Sequence, residues 1–129
     1  MEFIRTSNNI TMLVDDYQEA ANRTLVDKFE KGLTENETML IWNTLGLAGE
    51  AGEVADNIKK AIFHERKINK VQVKKELGDV LWYIAALCEN LGFTMEDVAS
   101  TNINKLKKRY PNGFTVKDSK ERRDLDESK

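Results

Sequence analysis

The 129-residue chain has one cysteine, one histidine and one proline, and each scarcity removes a class of explanation. A lone Cys88 leaves no internal disulfide and suits a reducing compartment. A lone His64 argues against zinc chemistry and against a di-iron bundle, which needs Glu-x-x-His pairs on two helices. The single Pro111, followed by Asn112 and Gly113, sits where a helix should stop. No apolar run approaches the roughly 20 residues that span a bilayer. Met1-Glu-Phe-Ile-Arg-Thr-Ser7 lacks the apolar core of a signal peptide, so a cytoplasmic protein is expected. A net charge of −2 gives no global pull toward nucleic acid or membrane.

What the chain has in quantity is charge, at 33% of residues, arranged on helical periods. Leu13, Tyr17, Ala20, Ala21, Thr24, Leu25 and Phe29 recur at three- and four-residue steps, which predicts a helix over about 11–31 ending at Gly32. Thr34-Glu-Asn-Glu37 reads as a capping box opening a helix over 35–63. Its apolar stripe is expected to comprise Ile41, Leu45, Ala48, Gly52, Ala55, Ile58 and Ile62. Asn69 with Gln72 starts a third helix, 70–91, whose face is Val73, Leu77, Val80, Leu81, Ile84, Cys88 and Leu91. Thr94-Met-Glu-Asp97 starts a fourth, 95–110. From Thr115 to Lys129 ten of fifteen residues are charged, a composition that predicts a flexible or loosely docked tail. The expected architecture is an all-α four-helix bundle over 1–114 with a charged tail, 115–129, and no strands.

Two stretches stand out chemically. Leu47-Ala-Gly-Glu-Ala-Gly-Glu-Val54 and Lys75-Glu-Leu-Gly-Asp-Val80 each carry two acids three residues apart: Glu50 with Glu53, and Glu76 with Asp79. Residues so spaced are neighbours on a helix surface. If the two helices pack together, four carboxylates converge, and like charges in one place call for a cation. Oxygen ligands without sulfur or imidazole suit Mg²⁺ or Mn²⁺. Three mid-helix glycines, 46, 49 and 52, each cost about 1 kcal/mol relative to alanine, so a close helix or ligand is expected to compensate. Tyr83 shares the flank of Glu76 and Asp79. Asn102, Lys105 and Arg109 share one face of the fourth helix and could neutralise phosphate oxygens that a metal bridges to the acids. Such a constellation would support metal-assisted hydrolysis of a phosphoanhydride, with a carboxylate as general base. The residues alone leave a second reading open: a non-catalytic helical interaction module whose carboxylates are structural or only bind metal.

Glu50-Ala-Gly-Glu53, then 22 residues, then Glu76-Leu-Gly-Asp79 resembles the E-x-x-E…E-x-x-D signature of MazG-like nucleoside triphosphate pyrophosphohydrolases, in the all-α NTP pyrophosphatase superfamily. The flanks Leu45-Gly-Leu-Ala-Gly-Glu-Ala-Gly-Glu-Val54 and Glu76-Leu-Gly-Asp-Val-Leu-Trp-Tyr83 resemble its two motif helices. Asn102-Ile-Asn-Lys-Leu-Lys-Lys-Arg-Tyr-Pro111 resembles its third block, and the likeness covers roughly residues 15–114. The resemblance implies a helical bundle completed as a homodimer or homotetramer. It implies cleavage of a (d)NTP between the α and β phosphates to a monophosphate and pyrophosphate, in nucleotide-pool sanitation or adjustment. Glu50, Glu53, Glu76 and Asp79 would be the Mg²⁺ or Mn²⁺ ligands and catalytic acids. Tyr83, Asn102, Lys105 and Arg109 would be substrate-binding. Where dCTP-type relatives carry an aromatic residue after the first acid pair, this chain has Lys60.

Overall fold

A computed structural model of the chain describes residues 4–6, 9–11, 13–26 and 31–125. The chain falls into two compact units, Met1–Leu33 and Thr34–Lys129. Among the described residues the regular elements are helices, apart from one short hairpin.

The first unit departs from the expected long helix. Ile4–Thr6 (β1) and Asn9–Thr11 (β2) pair antiparallel, with Ile4 opposite Thr11 and Arg5 opposite Ile10. Three-residue strands are too short to leave an alternation in the sequence, although β-branched residues supply four of the six positions. The first helix, α1, spans only Val14–Asn22. It has no side-chain N-cap bond and no buried residue. At its end the Thr24 hydroxyl donates to the Ala21 carbonyl, 2.9 Å away, and the helix unwinds. The helix thus ends ten residues before Gly32, and Phe29 of the expected stripe lies outside the described residues.

The second unit follows its start signals closely. Helices α2 (Glu35–Phe63), α3 (Lys70–Leu91) and α4 (Met95–Arg109) lie where the caps place them. Thr34 and Thr94 form reciprocal capping boxes with Glu37 and Asp97. Asn69 accepts from the Gln72 amide at 3.0 Å. Gly92, at φ 75°, closes α3 in the left-handed conformation that glycine adopts without strain. The connection from Arg109 to Thr115 leads into a further helix, α5 (Val116–Glu121), and a 3₁₀ turn, Arg123–Leu125.

That segment lies within the stretch expected to be a flexible or loosely docked tail, and Val116–Glu121 and Arg123–Leu125 of it form regular structure. Charge holds it where apolar burial cannot. Thr115 caps α5 by accepting from the Asp118 amide, 3.0 Å away. Asp118 is buried and pairs with Arg123 at 2.7 Å. The Asp124 carboxylate, 2% exposed, sits between Arg122 at 3.3 Å and Arg109 of α4 at 3.7 Å. Thr115-Val-Lys-Asp118 repeats the cap spacing of the earlier helices and is the sequence signal for α5.

The α2–α3 hairpin is the main tertiary contact of this unit. The row of α2 that sinks against its neighbours is Leu40, Asn43, Gly46, Leu47, Glu50, Val54, Ile58 and Ala61. The stripe expected from the sequence lies one row over and, apart from Ile58, points outward. Ile41 is 48% exposed, Leu45 68% and Ile62 61%. On α3, Val73, Val80, Ile84 and Cys88 turn inward, while Leu77, Leu81 and Leu91 stay exposed. Among the described residues only Ala61 and Cys88 are fully buried apolar groups. One chain thus pairs its two long helices and leaves a second apolar row of each uncovered.

Near the end of the seam the Asn43 amide donates to the Asn90 side-chain carbonyl at 2.7 Å, with Asn43 only 3% exposed. A buried amide pair fixes the register of two helices because a shifted register leaves both groups unsatisfied. Asn43→Ala is expected to cost about 1–3 kcal/mol by denaturant unfolding. A loss below the measurement error would show that the pair fixes nothing.

Candidate metal centre

Glu50 belongs to the α2 row that faces α3, and Glu76 and Asp79 lie on the opposing face of α3. The antiparallel pairing brings the three together: one carboxylate oxygen from each lies within 4.8 Å of the others. Glu50 and Glu76 are half-buried and Asp79 is exposed at the rim. The Gln72 side-chain amide, one turn before Glu76, donates to Glu76 Oε1 and orients it. Gln72 was read from the sequence only as a capping residue. Its i, i+4 spacing to Glu76 is the signal that could have assigned it to the site.

The trio carries an electrostatic strain. The Glu50 carboxyl is raised from its ordinary value of 4.5, first by loss of solvent, then by Asp79 and Glu76 nearby, and by the hydrogen bond it shares with Glu76. Glu53 adds a smaller push in the same direction. A proton relieves the repulsion at low pH; a divalent cation does so at neutral pH. The donor set, three carboxylates with no thiolate or imidazole, fits a hard divalent cation such as Mg²⁺ or Mn²⁺.

The other expected ligand, Glu53, is exposed and outside the trio. Tyr83 stands one turn beyond Asp79, half-buried, with its ring edge-on to Trp82 at 5.0 Å between centroids. Lys59 and Lys60 both pair with Asp56, whose carboxyl they lower to about 2. Asn102 and Lys105 are exposed on α4. Lys105 lines a cleft of about 410 Å³ with Thr101, Asn104, Lys108 and Asp124, to which α2 and α3 contribute no residue. Arg109 turns to the C-terminal segment: it lies 3.7 Å from Asp124, donates from Nη2 to the Ser119 carbonyl at 3.4 Å and covers the Tyr110 ring. The face expected to complete a triphosphate site is therefore divided. Arg109 anchors α5, and Lys105 opens onto a separate cleft.

The MazG nucleotide pyrophosphohydrolase domain family matches residues 39–114, which contain the trio, Tyr83 and the Asn102–Pro111 block. The Gene 37 protein of Mycobacterium phage L5 is 37% identical over 106 residues, covering 79% of this chain and 92% of that protein. No solved structure matches the chain.

The raised Glu50 carboxyl sets a pH dependence. Between 4.5 and its raised value the metal-free folded chain holds more protons than the unfolded chain, so its stability falls as pH rises through that window. A bound cation displaces the proton, so the gain in Tm from saturating Mg²⁺ or Mn²⁺ is expected to grow from pH 4.5 toward pH 7 and to shrink in Glu50→Gln. A gain that is flat with pH and unchanged in Glu50→Gln would place the cation elsewhere.

Proposed function

The chain belongs to the MazG nucleotide pyrophosphohydrolase family, and from that premise we propose that it hydrolyses a nucleoside triphosphate, a (d)NTP, between the α and β phosphates. The single observation that carries the reading is the convergence of Glu50, Glu76 and Asp79 across the α2–α3 seam. Those three side chains would hold a Mg²⁺ or Mn²⁺ ion. When bound, such an ion supplies Lewis acidity to the phosphate oxygens. Gln72, which donates to Glu76 Oε1, would orient that carboxylate for the ion. Glu53, on the same helix as Glu50 but outside the trio, is the carboxylate left to accept the proton of the attacking water. The water oxygen adds to one of the two bridged phosphorus atoms as its proton passes to Glu53, the bond from that phosphorus to the α–β bridging oxygen breaks, and the other phosphate group departs with that oxygen and the bond's electron pair, giving monophosphate and pyrophosphate.

The site is proposed to be complete only in an oligomer, a homodimer or homotetramer. Two observations support this. The outward rows of α2 and α3, with Trp42 and Trp82 more than 60% exposed, form apolar surface of the kind that a second copy covers. The α4 cations of one chain are engaged away from the trio, so Asn102 and Lys105 of a neighbouring copy are the natural source of phosphate contacts. Removal of unwanted nucleotides or adjustment of dNTP pools is the proposed role, in the cytoplasm. A family function without turnover, the carboxylates serving only to bind metal, is the competing reading.

A dNTP panel with Mg²⁺ or Mn²⁺ tests the reaction. Monophosphate plus pyrophosphate is expected, with rates lowered on the order of 10²-fold or more in Glu50→Gln and Asp79→Asn variants that remain folded. Orthophosphate release, or no turnover of any nucleotide, would overturn it. Light scattering is expected to give at least twice the mass of one chain at micromolar concentration, and a monomer would contradict the shared site.

A further inference from the structure

Four glycines flank the carboxylates on α2 and α3, and the structure treats one of them differently. Nothing lies within 4 Å of where a Cβ would stand at Gly49, Gly52 or Gly78. At Gly46 a Cβ would fall 2.2 Å from Tyr83 Cε1, 2.3 Å from Cζ and 2.8 Å from Cδ1, distances at which something must move. Glycine inside a helix is destabilising relative to alanine, so a glycine here needs a local reason. The Tyr83 ring supplies it: its far end lies directly against the α2 backbone, where only a missing side chain leaves room.

The placement matters because of the register. Gly46 is one turn from Glu50 on α2, and Tyr83 is one turn from Asp79 on α3. The ring therefore crosses the seam immediately beside the trio, between it and the Asn43–Asn90 pair. Trp82, perpendicular at 87°, braces the ring. We propose that Gly46 is a positioning residue: its notch seats Tyr83 as the end wall of the carboxylate groove, and that wall fixes how far a nucleoside extends from phosphates held at Glu50, Glu76 and Asp79. Gly46 and Tyr83 together then determine which base and sugar the groove accepts. This inference rests on the functional reading above.

Because Gly46 acts through Tyr83, its effect must vanish when the ring is gone. The test is a double-mutant cycle of Gly46→Ala and Tyr83→Leu. Gly46→Ala is expected to raise KM for the best (d)NTP about tenfold while kcat changes by no more than about twofold. In the Tyr83→Leu background the same change should leave KM within about twofold. Mn²⁺ affinity, read by electron paramagnetic resonance, should be the same in all four proteins. Two readouts need no turnover. Near-ultraviolet circular dichroism of the Trp82–Tyr83 pair should change in Gly46→Ala. The Tm gain that alanine gives inside a helix should appear only in the Tyr83→Leu background. Independent, multiplying effects on KM, or a Tm gain and unchanged dichroism in Gly46→Ala alone, would overturn the positioning role. A folded wild type that turns over no nucleotide would instead overturn the functional reading, and the substrate wall with it.

Discussion

The structure depends on repulsion held in place. Two long helices are pressed together along a row that includes Glu50, against a face that presents Glu76 and Asp79, so three acids share a space that water alone would not stabilise. The energy to do this comes from the rest of the seam: Asn43 locked to Asn90, Ala61 and Cys88 buried, and Val54, Ile58, Val80 and Ile84 packed between. The scaffold stabilises the crowding, and the crowding creates affinity for a cation. Fold and chemistry are linked through a single register.

The seam can be followed as a sequence of small tasks. The Asn43–Asn90 pair sets the axial position of one helix against the other. One turn on, Gly46 gives way to Tyr83. A turn further, the trio gathers, and Gln72 steadies it from the far side. At the opposite end of the unit, charge takes the place of apolar packing. Asp118 and Asp124 hold α5 and the following turn through Arg123, Arg122 and Arg109. The guanidinium groups lower the Asp124 carboxyl, Arg122 most of all, so its contribution is present above the ordinary carboxylate range and is lost as pH falls through the lowered value.

How much was legible in the sequence differs by region. The starts of α2, α3 and α4 were readable because Thr34, Asn69 and Thr94 satisfy local backbone donors, a matter of three or four residues. The carboxylate convergence was readable for Glu50, Glu76 and Asp79 because spacing constrains a helix face. Glu53 did not join them: spacing alone treats it as it treats Asp79, and only the way α2 is rotated against α3 leaves Glu53 in solvent while Asp79 meets Glu50. The apolar stripe of α2 was misplaced by one row: the helix has two apolar rows, and periodicity cannot say which one a partner chooses. The first helix was overextended: α1 ends at Asn22, and the Thr24 hydroxyl turns back onto the Ala21 carbonyl. The division of Lys105 and Arg109 between a cleft and α5 could not be read, because it depends on how the chain turns after Pro111.

The most direct measurement of the central claim is anomalous diffraction from crystals grown with Mn²⁺ and a nucleoside triphosphate whose α–β bridge cannot be hydrolysed. The account requires a manganese peak bonded to oxygens of Glu50, Glu76 and Asp79 and to the phosphates, with Tyr83 still seated at Gly46. Manganese bound at another site, or a fully occupied nucleotide with no metal at the trio, would contradict it.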